Sequence, residues 1–136
     1  MDLLYIFASI RRIHQGETTM NYIDGYVAAV PTSNREAYRL MAEKMAILFK
    51  KHGALNVVEN WGEDVPEGKL TSFTMAVKRE ANESIVFSWI TWPSRAVRDE
   101  AWKVVMQDPI MQNDNMSKLF DGKRMIFGGF QTIVEA

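Results

Sequence analysis

Cysteine is absent from the 136 residues, which excludes disulfides and thiolate metal sites and suits a reducing cytoplasm, the expected location. Histidine is nearly absent: His14 and His52 are the only two, so no histidine metal cluster can form and no metal is expected. An excess of one charge is missing too, since sixteen basic residues face seventeen acidic ones for a net charge of −1. Neither nucleic acid nor an anionic membrane is therefore an expected partner. Nor does any run approach the ~20 apolar residues of a membrane-spanning helix. Repeats, linkers and low-complexity tracts are lacking. What is present is a 47% hydrophobic chain of single-domain size, able to bury roughly two-thirds of its unfolded surface.

Residues 1–19 stand apart. The apolar run Leu3 to Ile10 has no basic residue before it and Arg11 and Arg12 after it, which does not fit a secretory signal. The strand-forming pattern starts at Asn21, so Met20 is expected to be the biological start and residues 1–19 an upstream extension. An extra packed strand or helix is the alternative. Residues 20–136 form the expected single domain.

From Met20 the pattern runs strand, helix, strand, strand, helix, strand. Asn21 to Val30 alternates as a strand, with Ile23, Val27 and Ala29 on one face and Tyr22, Asp24, Tyr26 and Ala28 on the other. Ser33 and Glu36 form a capping-box pattern for a helix running to about His52. Its apolar stripe is Tyr38, Met41, Ala42, Met45, Leu48 and Phe49, and Gly53 supplies the stop. Leu55 to Trp61 is the second strand. Leu70 to Val77 fits either a helical turn or a strand, with a short helix or irregular excursion preferred. Ser84 to Trp92 is the third strand. Ser94 caps a second helix whose predicted stripe is Val97, Ala101, Val104 and Val105, ended by Asp108-Pro109. A further helical turn is expected between Pro109 and Met116, and Arg124 to Val134 is the last strand.

This order builds an α+β fold, a ferredoxin-like split βαβ sandwich with a four-stranded antiparallel sheet and both helices on one face. All four strands carry large side chains on both sides, so the helix-free face is expected to be apolar too: Tyr22 and Tyr26, Val58, Val86 and Trp92 or their alternates, Ile126 and Phe130. A second copy is the simplest cover for such a surface, so a homodimer is expected.

Asp24-Gly25-Tyr26 with Ala29-Val30-Pro31, Phe87-Ser88-Trp89-Ile90 with Trp92-Pro93-Ser94, Arg98-Asp99, and Asp121-Gly122-Lys123-Arg124-Met125 with Gly128-Gly129-Phe130 form a distinctive set. Over essentially residues 20 to 135 it resembles the bacterial family of unknown function DUF1428, the YbaA-like proteins. The resemblance implies a dimeric α+β barrel, two ferredoxin-like sheets facing each other with helices outside. That superfamily also holds cofactor-free monooxygenases, haem-degrading enzymes, chlorite dismutase relatives and stress-related proteins. For this branch it implies no agreed activity.

The candidate chemistry is sparse. Asp24, beside Tyr22 and Tyr26, is a candidate base if it points into a cavity, and otherwise a carboxylate hydrogen-bonded to Gly25 and its neighbours. Glu59, sharing a face with Trp61, is either a second catalytic or ligand-orienting acid or a half-buried sheet residue. Tyr22, Tyr26, Trp61, Trp89 and His52 are the candidate pocket residues. Trp89 and Trp92, three positions apart, should face opposite sides of the sheet. His52 at a helix end is more economically a terminus partner than a ligand. It is the sole haem-ligand candidate outside residues 1–19, and no cofactor is expected. The nine methionines read as pliable packing first and as a promiscuous pocket second. Lys123 and Arg124 are candidate anion contacts, or else a solvated hairpin entry or ion-pair partners of Asp99 or Glu100 across a dimer. Gly128-Gly129 suggests a bulge or a close approach by another backbone, such as a partner sheet.

Three functions follow from these residues. One is a non-catalytic small-molecule cavity between sheet and helices. Another is a cofactor-independent oxygenase or isomerase in the same space. The third is a protein-docking or stress-related dimer using the Val65 to Lys78 excursion.

Overall fold

The structure, a computed structural model, describes residues 20–112 and 114–136. The expectations attached to residues 1–19, including the Leu3 to Ile10 run and His14, lie outside the described residues. Strands β1 (Tyr22–Pro31), β2 (Asn56–Trp61), β3 (Glu83–Trp92) and β4 (Ile126–Gln131) form one antiparallel sheet in the order β2-β3-β1-β4. Helices α1 (Arg35–Lys51) and α3 (Arg95–Val105) are the two long crossovers, with short helices α2 (Phe73–Ala76) and α4 (Asn115–Leu119) in the connections. This is the predicted ferredoxin-like arrangement.

Local chemistry sets the boundaries. Gly53, at φ 111°, closes α1: its N–H reaches the Lys50 carbonyl while the Ala54 N–H reaches that of Phe49. Ser94 Oγ accepts from the Val97 N–H at 3.2 Å and opens α3. Asp108 accepts from the Ile110 N–H at 3.0 Å, starting a tight turn over Pro109–Met111. Ser72 caps α2 in the same way, so the ambiguous Leu70 to Val77 segment resolves as a short helix within an irregular excursion. The Ser33/Glu36 capping box does not form. A tight turn over Thr32–Asn34 precedes α1 without a side-chain cap, and Glu36 turns outward to Arg39 at 2.6 Å.

Register decides which side chains face the helices. Tyr22 lies opposite Trp92, Tyr26 opposite Ser88, and Glu59 opposite Ser88 from the other side. Hence Tyr22, Asp24, Tyr26 and Ala28, Val57, Glu59 and Trp61, and Val86, Ser88, Ile90 and Trp92 share the helix side. This corrects the predicted helix-free face for Tyr22 and Tyr26, and of the β3 alternatives it is Ile85, Phe87 and Trp89, not Val86 and Trp92, that take that side. Trp92 is wholly buried, packed edge-on against Phe49 of α1. Only the closed side offers walls for so large a ring and an acceptor for its indole N–H.

The helix-free side carries Ile23, Val27 and Ala29, Val58, Ile85, Phe87 and Trp89, and Ile126 and Phe130. One end is sealed by Val77 and Val65 of the excursion, packed on Val27, Ala29 and Ile85. Phe87, Ile126 and Phe130 remain exposed. Trp89 and Trp92 thus face opposite sides, as their spacing predicts.

On α1 the predicted stripe holds, with Tyr38, Met45 and Phe49 buried. On α3 Val97, Ala101 and Val105 pack inward as predicted, but Val104 is half exposed, and Arg98 and Trp102 widen the inward face. The indole of Trp102 packs against Phe49 with ring centroids 5.1 Å apart, an area that Val104 cannot match.

Candidate functional site

An open cavity of about 610 Å³ lies between the helix side of the sheet and α1, α3 and α4. That is mid-range for small-molecule sites. Six of the nine methionines, Met41, Met45, Met106, Met111, Met116 and Met125, line it together with Phe49, Trp102, Phe120 and Phe127. The pliable-pocket reading of the methionines therefore has a structural basis: unbranched thioethers form a wall that can adapt in shape.

The polar floor consists of two separate clusters. In the first, Glu59 of β2 accepts from Tyr26 Oη of β1 at 3.0 Å and from Tyr38 Oη of α1 at 2.7 and 3.2 Å. Strand β3 lies between β1 and β2, and its residue at this rung is Ser88. So small a side chain lets Tyr26 and Glu59 reach each other across it. Ser88 Oγ is fully buried beneath them. Burial, followed by the negative charge of Glu59, pushes both phenols well above the ordinary tyrosine value, a rise partly opposed by the Ser88 hydroxyl that faces them. Tyr26 and Tyr38 are therefore neutral donors at physiological pH.

The second cluster centres on Asp24, which is buried in β1. Its Oδ2 accepts from the indole N–H groups of Trp92 at 2.9 Å and Trp102 at 2.8 Å. The guanidinium of Arg98 grips the same carboxylate, with Nη2 2.8 Å and Nε 3.0 Å from Oδ1. Arg98 Nη1 turns to Asp99 at 2.9 Å, which holds the Asp99 carboxyl below its ordinary range. Arg98 and Arg95 also lie over the Tyr22 ring, 5.3 and 5.9 Å from its centroid. Gly129 of β4 gives this stack room, because a Cβ there would lie 2.3 Å from Tyr22 Oη and 2.9 Å from Arg98 Nη2.

Both candidate acids, Asp24 and Glu59, thus reach the cavity, together with Tyr26. Asp24 does not fit a free base: two indoles and a guanidinium occupy its oxygens, rather than Gly25 and its neighbours. The other pocket candidates lie elsewhere. Tyr22 sits in the arginine stack. Trp61 packs on Tyr38 under Arg35, with the guanidinium 5.5 Å from its ring centroid. Trp89 faces the opposite side of the sheet, and His52 occupies the C-terminal cap of α1. None of these four lines the cavity.

Arg124 is not available to an anion. It is bound by Glu83 at 2.6 and 2.7 Å, by Asp121 at 3.1 Å and by the Lys78 carbonyl at 2.8 Å, all in the same chain. Within the chain its main partner is Glu83, a buried carboxylate that needs a cation more than an exposed one does. Lys123 is exposed in the tight turn that Asp121 caps through its N–H at 3.0 Å. Gly128-Gly129 forms no bulge: both pair in register with β1, and the close neighbours at Gly129 are Tyr22 and Arg98.

Arg98, Trp102, Tyr38 and Ser88 are the site residues that sequence reasoning did not single out. Arg98 and Trp102 share a helical face at i, i+4 spacing, and that alternative stripe was the available signal. The bond across β3 from Tyr26 to Glu59 left none, because it depends on strand order. Among the described residues, no group of three or more histidine, aspartate or glutamate side chains could hold a metal ion. No helix among them is long and apolar enough to cross a membrane.

Comparison with known proteins bears on both fold and lineage. The family model described as "Protein of unknown function (DUF1428)" matches residues 21–122. The uncharacterized protein YbaA of Escherichia coli K12 is 56% identical over 116 residues, spanning 85% of this chain and 99% of the relative. The YbaA of Shigella flexneri matches to the same extent. Among solved structures, a dimeric ferredoxin-like protein from an uncultured marine organism superposes with a TM-score of 0.55 at 15% identity, covering 85% of this chain and 99% of its own. That likeness concerns the fold.

Proposed function

We propose, for a chain that belongs to the DUF1428 family, that its role is to bind a small apolar molecule in the methionine-lined cavity, as a homodimer. The carrying observation is the cavity itself: about 610 Å³, with walls almost wholly apolar and a floor bearing a few convergent polar groups. Binding is favoured over turnover by the state of the floor. The two phenols are held neutral, and the oxygens of Asp24 and Glu59 already accept hydrogen bonds. Such groups orient a ligand more readily than they remove a proton from one.

The dimer rests on the helix-free face. Phe87, Trp89, Ile126 and Phe130 form an apolar surface there, continued by Phe73, whose ring centroid is 5.6 Å from that of Phe87. A neighbour of the same fold is described as dimeric, and a surface of this kind suits a symmetric partner. The chemistry is that of a soluble protein, and a cytoplasmic setting suits a chain without cysteine.

The test of binding is titration with a neutral, polarity-sensitive naphthalene fluorophore, on the wild type and on Met116→Trp, which places an indole in the cavity wall. Saturable binding that is lost in Met116→Trp, with its melting temperature retained, supports the reading. No binding by the wild type, or equal binding by the filled variant, refutes it.

A further inference from the structure

The polar floor also states which head group the ligand should carry, an inference that rests on the cavity-binding reading. Three lining residues bear charge: Asp24, Glu59 and Arg98. Arg98 is already matched by two carboxylates, Asp24 at 2.8 Å and Asp99 at 2.9 Å. Glu59 has no cation within ion-pair distance among the described residues; its partners are the two tyrosine hydroxyls. A carboxylate has about four acceptor positions, and here two phenolic protons serve them. The Tyr38 proton is shared between both Glu59 oxygens. Acceptor capacity on Glu59 is therefore left over.

The donors are accounted for otherwise. The Trp102 indole N–H is held by Asp24 at 2.8 Å, and both phenolic protons point to Glu59. Ser88 Oγ is wholly buried beneath the pair and is not part of the cavity lining. A ligand carboxylate would thus meet a second carboxylate with no unmatched cation nearby. A ligand ammonium would meet unfilled acceptors, one uncompensated negative charge, and the aromatic rings of Tyr38 and Phe120, whose centroids lie 5.8 Å apart. Glu59 is half-buried, so its charge is only partly hydrated, and a cationic ligand would supply the counter-charge that the described residues do not.

We infer that the cavity selects an apolar amine, its protonated nitrogen seated on Glu59 between Tyr26 and Tyr38 and its hydrocarbon or aromatic body against the methionines. The probes that test this share one skeleton: phenylbutylamine, phenylbutanol and phenylbutyrate, each titrated calorimetrically into the wild type and into Glu59→Gln. The amine should bind about tenfold more tightly than the alcohol, the size expected of one charge-assisted hydrogen bond, and the carboxylate most weakly. In Glu59→Gln the amine's advantage over the alcohol should vanish while the alcohol still binds. Equal binding of the three, tightest binding of the carboxylate, or an amine preference that survives Glu59→Gln overturns the assignment and leaves the cavity reading standing. Failure of all three to bind the wild type overturns both. The wild-type ranking decides alone if Glu59→Gln does not fold.

Discussion

Replacing Asp24 by Asn changes few atoms and should nonetheless be among the most damaging single substitutions in the domain. The carboxylate takes two indole N–H groups on one oxygen and the Arg98 guanidinium mainly on the other. An amide offers only one oxygen. Turned toward the indoles, it sets its NH₂ against the guanidinium; turned toward Arg98, it sets the NH₂ against two indole donors. Either orientation leaves buried donors unsatisfied and removes the counter-charge of a largely buried arginine. Removing one partner of such a pair costs about 3 kcal/mol or more. For a domain of this size that lowers the melting temperature by roughly 10 °C. Urea unfolding followed by circular dichroism should show the midpoint fall with the slope unchanged. Asp99→Asn is the control, since its pair is exposed on one side and should change stability little. An Asp24→Asn protein that melts within a few degrees of wild type would refute the assignment of this cluster as the main polar anchor of the core.

Other outcomes follow from the same geometry. Tyr26 and Tyr38 have raised folded values, so the stability they lend is complete below the ordinary tyrosine range and declines as pH climbs toward those values; phenolate absorbance should show them un-ionised until alkaline unfolding. Glu83 has a lowered folded value, chiefly through its hydrogen bonds to Arg124, so its contribution is full above the ordinary glutamate range and is lost as pH falls through the lowered value. Glu83→Gln should therefore destabilise the protein at neutral pH and flatten the acid limb of a stability-against-pH curve. Gly129→Ala should cost about 1–3 kcal/mol by crowding Tyr22 and Arg98, measured by thermal melting against the tolerant Gly122→Ala, where a Cβ meets nothing. Phe130→Asp should give a folded monomer by light scattering; a dimer that persists would remove the helix-free face as the interface.

Much of the fold was readable because it depends on short-range patterns. Helix α1 announces itself through Tyr38, Met45 and Phe49 at helical spacing and through Gly53, whose positive φ suits only glycine well. Ser94 and Asp108-Pro109 bracket α3 by the same local rules. The errors arose where a long-range partner outweighs a local preference. Glu36 turns to Arg39 instead of capping α1. Tyr22 and Trp92 go to the helix side because strand register, unreadable in one sequence, places them on one rung beneath α3. The α3 stripe keeps Val97, Ala101 and Val105 but gains Trp102 and Arg98 in place of Val104, because those two have Asp24, 78 and 74 positions away, as their partner. Asp24 and Glu59 could be chosen as unusual carboxylates in strands. Their roles depend on which donors the fold delivers to them.

The sheet divides its two faces by chemistry. The helix side holds Asp24, Glu59, Arg98, the phenols and the cavity, whereas the exposed part of the other side is chiefly aromatic and aliphatic. Strand β4 serves both. It presents Ile126 and Phe130 to the helix-free side, while Phe127 lines the cavity and Gly129 accommodates the Tyr22 and Arg98 stack. It is one of the two edge strands, paired only to β1, and five of its six residues are exposed. A partner covering Phe130 would restrain the same backbone that fixes Phe127, so dimerisation should order the cavity wall without touching any polar group on its floor. On the proposed reading, ligand affinity should respond to assembly through β4, whereas head-group selectivity, assigned to Glu59 on β2 at the opposite edge, should not.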